Sequence, residues 1–486
     1  MERPLFEARL VARGFTQVHH GLDYDETYAP VTRLETIRLL FAMAVEKDWE
    51  IRQIDVKTAY LYGDLDEEIY MEPPPGYEVP EGHVLRLGKA LYGLKQAGRQ
   101  WYRKLKSVMG KFGLKQITND PHTFIGHKIV SGVRRTTAIP IYVDDLFPIG
   151  DKVLTDDFET WIPKYFDVTL TGDASYFLGI RVTRSRDADE PYLCLDQAKF
   201  ATTVLERFEV TRNTRVATPL PQNEDLVPNT DPKEDADANT VRNYQRVIGS
   251  LMYLMLGTRP DLAYSVGKLA RFSSNPSPRH VEIIDRVLSY LKTHRTHDIM
   301  YVKNGSIEPE GYVDADFAGD TSDRKSTAGY AFMLGGSAFS WSSKRESSVA
   351  TSTMEAEYIA LFLGAQQAAW IWQFYNQIGF PLESPITIYS DSQAAIAVAK
   401  AEQTHQRTKY LDVDLHSIRE RINEGQIVVH YVPSRDNPAD IFTKSLSRDL
   451  FHEHAKYLGV EPLVPLVDSP PEVSPSPSQS GDAEET

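Results

Sequence analysis

The most distinctive pattern in the first third of the chain is a pair of short apolar runs on either side of two aspartates. Residues 138–143 and 146–150 form the runs, and Asp144 and Asp145 lie between them. This arrangement predicts two antiparallel strands joined by a tight turn. Two adjacent carboxylates at such a tip are costly to keep charged unless a cation lies close by, although aspartate is also common in solvated turns.

A third aspartate occurs in a similar setting, because Asp55 lies near the end of a predicted strand at residues 49–56. Three carboxylates at strand ends can bind two Mg²⁺ ions, which activate a hydroxyl group and stabilise a leaving group. The third aspartate therefore favours a metal site over a solvated turn.

The rest of the first half mixes strand and helix patterns. We expect a strand at residues 9–14, a helix at 34–45 and a short strand at 176–180. Residues 217–240 are rich in Pro, Asn and Asp, which predicts a loop or linker, and residues 241–300 follow a helical pattern.

The second half predicts a mixed α/β domain. The predicted strands are 311–316, 329–334, 338–341, 386–390 and 427–432, and the predicted helices are 353–375, 393–400, 411–423 and one that begins near residue 438. The Pro/Ser/Glu-rich residues 465–486 are expected to be disordered.

Composition narrows the class of protein. A chain of 486 residues with 41% hydrophobic and 25% charged residues fits a soluble globular protein of two or three domains. One cysteine, Cys194, excludes an internal disulfide, and no apolar run reaches membrane-spanning length. His294 and His297 lie close in sequence without further ligands, so we interpret them as surface histidines and not as metal ligands.

Charge is unevenly distributed along the chain. The net charge of −15 argues mildly against nucleic-acid binding. Residues 86–115, however, carry nine Lys and Arg residues and no acidic residue, with Tyr92, Trp101 and Tyr102 interleaved. Such a stretch can neutralise phosphates and stack on bases; a solvated basic helix face is the alternative.

Five motifs resemble the reverse transcriptases of copia-type long-terminal-repeat retrotransposons. They lie at residues 8–17, 55–60, 90–96, 142–145 and 176–180, and the resemblance covers residues 5 to about 215. The resemblance implies that Asp55, Asp144 and Asp145 are the catalytic carboxylates and that they hold the metal ions.

The same resemblance implies three substrate-binding residues. Tyr60 matches the position that lies under the incoming sugar and excludes a 2′-hydroxyl, with an ordinary core tyrosine as the alternative. Gln96 matches a position that touches the incoming nucleotide. Arg9 lies in the fingers region that meets the nucleotide phosphates.

Four further motifs resemble the ribonuclease H domain of the same elements, at residues 312–316, 352–358, 389–393 and 437–444. The resemblance implies a second set of catalytic and metal-binding carboxylates, namely Asp314, Glu357, Asp391 and Asp440. Glu357 fits the family's Glu-x-x-Ala pattern better than Glu355 does. Four carboxylates with two Mg²⁺ ions would activate a water that cuts the RNA strand. Residues 407–409 and His416 also match a family motif and are expected to contact substrate.

The resemblance also implies a domain order and an α+β fold class. A polymerase of fingers, palm and thumb, truncated at its N-terminus, is expected at residues 1–215. A linker and helical connection follow at 216–304, a mixed α/β ribonuclease H-like domain at 305–447, and a largely disordered tail at 448–486.

The implied activity is DNA synthesis on RNA and DNA templates together with hybrid cleavage, dependent on Mg²⁺ or Mn²⁺. The expected partners are an RNA template, a DNA primer, an RNA–DNA hybrid and dNTPs, with no membrane, inside the cell in cytoplasmic virus-like particles or the nucleus. The sequence indicates no oligomeric state.

Departures from the family leave a second reading open, a decayed or co-opted relic that binds nucleic acid or partners without polymerase activity. They lie at Glu7, Gly98, Pro140, Pro148 and Tyr410. Proline is tolerated in strands mainly at edges or bulges. With the truncation, these departures lead us to expect weaker primer extension than hybrid cleavage.

Overall fold

The computed structural model of this chain describes residues 9–21, 23–210, 215–231, 233, 235–401 and 412–462, with the side chains of 412–415 excepted. Within these ranges helices and sheets are mixed, as the predicted fold class requires. The helices are α1 (Leu34–Lys47), α2 (Ala97–Phe112), α3 (Lys152–Trp161), α4 (Ala198–Arg207), α5 (Ala238–Gly257), α6 (Ala263–Ala270), α7 (Pro278–Thr293), α8 (Thr353–Gln377), α9 (Gln393–Lys400), α10 (Asp412–Asn423) and α11 (Arg448–Tyr457).

The strands of the described ranges fall into three larger sheets and one two-stranded ribbon. They are β1 (Glu50–Val56), β2 (Tyr70–Met71), β3 (Leu85–Arg86), β4 (Lys115–Gln116), β5 (Thr123–Val130), β6 (Val133–Tyr142), β7 (Asp145–Leu146), β8 (Ile149–Gly150), β9 (Val168–Asp173), β10 (Tyr176–Phe177), β11 (Ile180–Ser185), β12 (Tyr192–Asp196), β13 (His297–Val302), β14 (Glu310–Asp316), β15 (Thr327–Leu334), β16 (Ser337–Arg345), β17 (Ile386–Ser390), β18 (Ile427–Tyr431) and β19 (Val460–Pro462).

The first sheet contains the predicted hairpin. Its order is β4-β5-β6-β7-β1-β8, with β9 also paired to β1. Leu105 and Met109 of α2 pack in one apolar cluster with Ile54, Ile139 and Leu146 of the sheet. A close-packed cluster of this kind gives the hairpin a rigid floor.

Helix α1 confirms the helix predicted at residues 34–45, and residues 36–45 are all buried. The buried cation in this stretch is Arg38, which donates to the carbonyls of Phe339, Leu256 and Gly257 at 2.7, 2.7 and 2.8 Å. Its guanidinium also lies 3.8 Å from the ring centroid of Trp341. Because three carbonyl groups depend on one side chain, Arg38 ties α1 to α5 and to β16.

The second sheet has the order β10-β11-β12-β13-β19. Its edge strand β19 and helix α11 lie in the segment that was expected to be a disordered tail. That expectation is wrong for residues 448–462, because Phe451 and Leu458 are buried and Val460 pairs with Ile299 of β13. Residues 463–486 lie outside the described residues.

The third sheet has the order β16-β15-β14-β17-β18, with β14 parallel to β17 and antiparallel to β15. The five strands and the helices predicted from residue 311 to residue 432 are all present. The helix predicted near residue 438 is a short 3₁₀ helix, Pro438–Phe442. A parallel pair inside this sheet brings the ends of β14 and β17 to one edge.

Two local predictions are wrong. Residues 9–13 form no strand, and Gly14 begins a 3₁₀ helix; the Ala12 N–H donates to the Tyr92 carbonyl at 2.7 Å. Residues 176–180 are not one strand: β10 ends at Phe177, a turn follows with Gly179 at a φ of 74°, and β11 begins at Ile180. The loop or linker predicted at 217–240 is a loop in its described residues up to the start of α5 at Ala238, and it packs on the chain through the buried Leu220 and Leu226.

Candidate active sites and metal centres

The first carboxylate set lies at one end of the first sheet. Asp145 of β7 pairs with Asp55 of β1. Asp144 lies in the turn between β6 and β7, and its carbonyl accepts a 2.9 Å hydrogen bond from the Val56 N–H. The structure therefore brings Asp55, Asp144 and Asp145 together, and all three side chains are half-buried.

The turn before Asp144 has a strained backbone. Val143 has a φ of 58°, a left-handed conformation that β-branched residues rarely adopt. Its carbonyl accepts a 2.7 Å hydrogen bond from the indole Nε1 of Trp101, whose ring is almost fully buried. Trp101 thus holds the turn in place. The sequence had suggested that it would stack on bases, but its buried ring does not.

The two prolines beside the turn are accommodated by a break in the ladder. Pro140 lies in β6, an interior strand, and not at an edge, where proline is usually tolerated. Its carbonyl accepts from the Phe147 N–H at 3.1 Å, but proline has no N–H to return. Phe147 lies opposite Pro140, directly after the end of strand β7 at Leu146. Pro148 lies between β7 and β8, and its carbonyl accepts from the Arg52 N–H at 2.9 Å.

Burial raises the pKa of Asp55, and the Asp144 carboxylate raises it further, while Arg9 opposes the shift. Burial also raises the pKa of Asp145, whose Oδ1 accepts from Gln53 Nε2 at 3.3 Å. Neighbouring carboxylates that raise one another's pKa form a site that favours a bound cation.

Two tyrosines and Arg9 lie beside these aspartates. Tyr60 follows β1 in the 3₁₀ helix Ala59–Tyr62, and its ring centroid is 4.8 Å from that of Tyr92. The Arg9 guanidinium carbon lies 5.8 Å from the Tyr92 centroid. Burial raises the pKa of both tyrosine hydroxyls, and Asp144 raises it further. Tyr92 was not predicted as a site residue, although it lies inside the motif at 90–96.

Gln96 does not have the predicted role in this conformation. Its side chain is fully buried. Nε2 donates to the Asp23 carbonyl at 3.0 Å and to the Glu67 carboxylate at 3.3 Å, and Oε1 accepts from Gln17 at 3.1 Å. A side chain enclosed by these partners cannot touch a nucleotide, so Gln96 is a structural residue that joins three segments.

The basic stretch at 86–115 is partly neutralised within the chain. Its cations pair with an acidic loop at residues 64–68: Lys89 and Lys104 with Asp64, Arg99 and Arg103 with Asp66, and Arg86 with Glu68. Exposed ion pairs of this kind are weak, but they leave fewer cations for phosphates than the sequence count suggested.

The second carboxylate set is more compact. Asp314 lies in β14, Glu357 near the start of α8, and Asp391 directly after β17. One oxygen of each carboxylate lies within 4.8 Å of the other two, the one such group of three among the described residues. Asp55, Asp144 and Asp145 are not grouped so tightly. A spacing of this size permits three carboxylates to share a divalent ion.

Neighbouring hydroxyl groups orient two members of the set. Thr443 Oγ1 donates to Asp314 Oδ2, and Ser434 Oγ donates to Asp391 Oδ2. Two other oxygens, Glu357 Oε2 and Asp391 Oδ1, are buried and accept no hydrogen bond from the described residues. Buried carboxylate oxygens without partners are unfavourable, and hard oxygen ligands suit Mg²⁺ or Mn²⁺. The residues therefore fit a divalent ion.

Asp440, in the 3₁₀ helix Pro438–Phe442, is the fourth member, and a lysine lies against it. Lys444 Nζ is 2.9 Å from Asp440 Oδ1 and 3.6 Å from Asp314 Oδ2. Burial raises the pKa of Glu357 and of Asp440, the Asp314 charge raises both further, and Lys444 opposes these shifts. Lys444 is the last residue of the motif at 437–444, and its spacing of four residues from Asp440 is the signal in the sequence that points to this pair.

Glu355, the alternative to Glu357, has a different role. Its Oε2 accepts hydrogen bonds of 2.6 Å from both the N–H and the hydroxyl of Thr351, so it stabilises the start of α8. His416 is exposed on α10, and residues 407–409, with Glu7 and Tyr410, lie outside the described residues.

The two histidines interpreted as surface residues are half-buried. The rings of His294 and His297 are 4.8 Å apart, and burial lowers the pKa of both. The surface position that we expected for them is therefore wrong. Cys194, the single cysteine of the chain, is free, and its side chain is buried. No helix in the described ranges is both long and apolar enough to cross a membrane.

The chain is similar in sequence to known proteins over almost its whole length. Residues 3–222 match a family model described as reverse transcriptase (RNA-dependent DNA polymerase). The chain is 38% identical over 460 residues to the retrovirus-related Pol polyprotein from transposon TNT 1-94 of Nicotiana tabacum, covering 94% of this chain and 34% of that protein. It is 36% identical over 468 residues to the Pol polyprotein from transposon RE2 of Arabidopsis thaliana, covering 95% and 31%.

Among the solved structures that overlap most of the chain is a foamy viral protease-reverse transcriptase in complex with an RNA/DNA hybrid, with 11% identity and a TM-score of 0.41, covering 84% of this chain and 46% of that chain. At this TM-score the structural similarity carries no argument about the site.

Proposed function

Because the chain belongs to the Pol polyproteins of copia-type long-terminal-repeat retrotransposons, we propose that it synthesises DNA on RNA and DNA templates and cleaves the RNA strand of RNA–DNA hybrids. It spans about a third of the length of these curated relatives, 34% and 31%. The proposed partners are an RNA template, a DNA primer, an RNA–DNA hybrid and dNTPs, in the cytoplasm or nucleus of the host cell.

The proposed division of labour follows the two carboxylate sets. DNA synthesis belongs to a polymerase at residues 1–215, with a connection at 216–304, and hybrid cleavage to a ribonuclease H domain at 305–447. The separate five-stranded sheet β14–β18 supports the last boundary. Helix α11 and β19 extend beyond it, since β19 returns to the second sheet.

In the polymerase, Mg²⁺ or Mn²⁺ would activate the primer 3′-hydroxyl and stabilise the leaving pyrophosphate. The protein's contribution is position. The pairing of Asp55 with Asp145 and the bond from Trp101 to Val143 support a fixed arrangement of ligands. Tyr60 is the proposed barrier to a 2′-hydroxyl, packed on Tyr92, and Arg9 is the proposed phosphate contact, next to the same ring.

The hybrid-cleaving site carries the proposal most strongly. The carrying observation is the convergence of Asp314, Glu357 and Asp391 within 4.8 Å, with buried oxygens that lack hydrogen-bond partners. A divalent ion bound there would generate a water nucleophile for the RNA phosphodiester. Asp391, oriented by Ser434, and Asp314, oriented by Thr443, would hold that ion in a fixed place.

The test is a paired assay on the purified 486-residue chain. One arm follows extension of a labelled DNA primer on an RNA template with dNTPs, and the other follows cleavage of a labelled RNA strand in a hybrid. We expect both activities with Mg²⁺ and neither with EDTA. Cleavage without primer extension would favour the alternative, a relic without polymerase activity, for the first site. Absence of both cleavage and extension would contradict the proposal.

A further inference from the structure

The four carboxylates of the second site do not have equivalent surroundings. Asp314, Glu357 and Asp391 each offer an oxygen to one common point. Asp440 is not part of that group, and its Oδ1 lies 2.9 Å from the ammonium of Lys444. Three carboxylates can therefore bind one ion together, whereas the fourth is already paired with the Lys444 ammonium.

The ammonium also reaches across to the group of three. Lys444 Nζ is 3.6 Å from Asp314 Oδ2, so it lies between Asp440 and Asp314. A divalent ion bridging those two carboxylates would need the same space, because metal–oxygen distances of about 2.1 Å place it between the same oxygens. The ammonium and such an ion would also repel each other strongly in a partly buried site.

The position of Lys444 is fixed by the local backbone. Asn437, fully buried, donates from Nδ2 to the Val313 carbonyl at 2.8 Å and accepts from the Ala439 N–H at 3.2 Å. This attaches the start of the 3₁₀ helix to β14. The Lys444 N–H then bonds to the Asp440 carbonyl at 3.3 Å. The lysine is thus one turn beyond Asp440, and its side chain extends back along that turn.

Building on the function proposed above, we propose that the Lys444 ammonium replaces the second divalent ion at this site. The site then takes one divalent ion, at Asp314, Glu357 and Asp391. Four ionised carboxylates with one divalent ion and the ammonium keep one net negative charge, whereas two divalent ions and the ammonium would leave a positive excess. Lys444 is a positioning residue: it keeps Asp440 and Asp314 oriented while the ion binds.

The experiment counts bound Mn²⁺ in the full chain without nucleic acid, by the electron paramagnetic resonance signal of free Mn²⁺. Asp55→Asn and Asp144→Asn are both introduced to silence the first site. In this background we compare three proteins that differ only at position 444. One keeps Lys444, Lys444→Met removes the charge at a similar side-chain length, and Lys444→Arg keeps the charge. Asp314→Asn in the same background is the blank. We expect one ion with Lys444 and with Lys444→Arg, and two with Lys444→Met.

Two ions in the Lys444 protein would overturn the inference even if Lys444→Met fails to fold, and leave the proposed function standing. One ion with Lys444→Met, in a protein whose thermal unfolding shows a folded state, would overturn it as well. No ion in any of these proteins would overturn the proposed hybrid-cleaving site itself. The metal count does not depend on cleavage activity, so the two failures are distinguishable.

Discussion

The two carboxylate sites of this chain differ in how completely the protein alone forms them. At the first site, Asp55 and Asp145 are strand neighbours and Asp144 lies in a turn, all half-buried, without a tight group of three oxygens. At the second site, Asp314 and Glu357 come from a strand and a helix that meet in the interior. Their oxygens, with one from Asp391, lie within 4.8 Å of one another.

The difference shows where each site places its energetic cost. The second site buries its carboxylates close together, and burial followed by repulsion from Asp314 raises the pKa of Glu357; Lys444, Thr443 and Ser434 offset this cost. The first site also carries repulsion, since the Asp144 charge adds to the burial that raises the pKa of Asp55, and it has in addition a strained turn at Val143. We infer that the second site is preformed for its ion, whereas the first is completed only when substrate phosphates and ions bind.

The largest expected effect separates the two sites. Asp144→Asn should reduce dNTP incorporation at least about 100-fold, because a metal ligand loses its charge, and leave hybrid cleavage unchanged. Asp314→Asn should do the reverse. Primer extension and hybrid cleavage measured on the same preparations check this. Asp157→Asn, an exposed partner of Lys128 on α3, is the control and should change neither; loss of both activities in either variant would contradict the separation.

The next effect tests the sugar barrier of the first site. Tyr60→Val removes the ring that packs on Tyr92, so the ratio of dNTP to rNTP incorporation should fall about 10- to 100-fold. The measurement is kcat/KM for each nucleotide on one template. Tyr60→Phe keeps the ring and should retain discrimination; an unchanged ratio in Tyr60→Val would make Tyr60 an ordinary packing residue.

A smaller effect tests the strained turn. Trp101→Phe keeps an aromatic ring but removes the N–H that binds the Val143 carbonyl. The loss of about 1 kcal/mol should lower kcat for incorporation about 5- to 10-fold, with the KM for dNTP nearly constant and hybrid cleavage unchanged. Trp161→Phe, in an aromatic cluster on α3, is the matched control. Equal effects of both substitutions would contradict a specific role for the Trp101 hydrogen bond.

The smallest effect concerns the pH dependence of the second site without metal. The folded-state pKa of Glu357 is raised, so its contribution to stability is greatest below the ordinary carboxyl range and is lost as pH rises through the raised pKa. Glu357→Gln should therefore raise the melting temperature of the EDTA-treated chain by a few degrees at alkaline pH, on the order of 2–4 °C per kcal/mol, and little at pH 5.

Asp298 provides the control for that experiment. It is buried outside the carboxylate set, in β13, and burial raises its pKa to about 7. Asp298→Asn should likewise stabilise the EDTA-treated chain more as the pH rises. Mg²⁺ should abolish the benefit of Glu357→Gln, because the ion replaces the proton, but not that of Asp298→Asn. The same response to Mg²⁺ in both variants would contradict a metal site at Glu357.

Local patterns predicted much of this fold. Strand patterns ended near Asp55 and Asp391, and helical spacing predicted α8, because these signals depend on neighbours in sequence. The resemblance to a family supplied the grouping of four distant carboxylates, which no local pattern contains. The motif at 437–444 included Lys444 without indicating that its ammonium lies against Asp440.

Tertiary contacts explain the predictions that were wrong. The cations at 86–115 were counted for phosphates, but an acidic loop at 64–68 packs beside them. Gln96 was expected at the nucleotide, but Gln17 and Glu67 enclose its amide. In each case the partner is distant in sequence, so composition and spacing carried no signal for it.

The most direct test of the difference between the sites is Mn²⁺ binding to the full chain without and with primer-template and dNTP. Without nucleic acid, we predict that wild-type chain and Asp144→Asn bind Mn²⁺ equally and that Asp314→Asn loses this binding. Adding primer-template and dNTP should create further binding that Asp144→Asn removes. Binding without nucleic acid that depends on Asp144 and not on Asp314 would contradict the account.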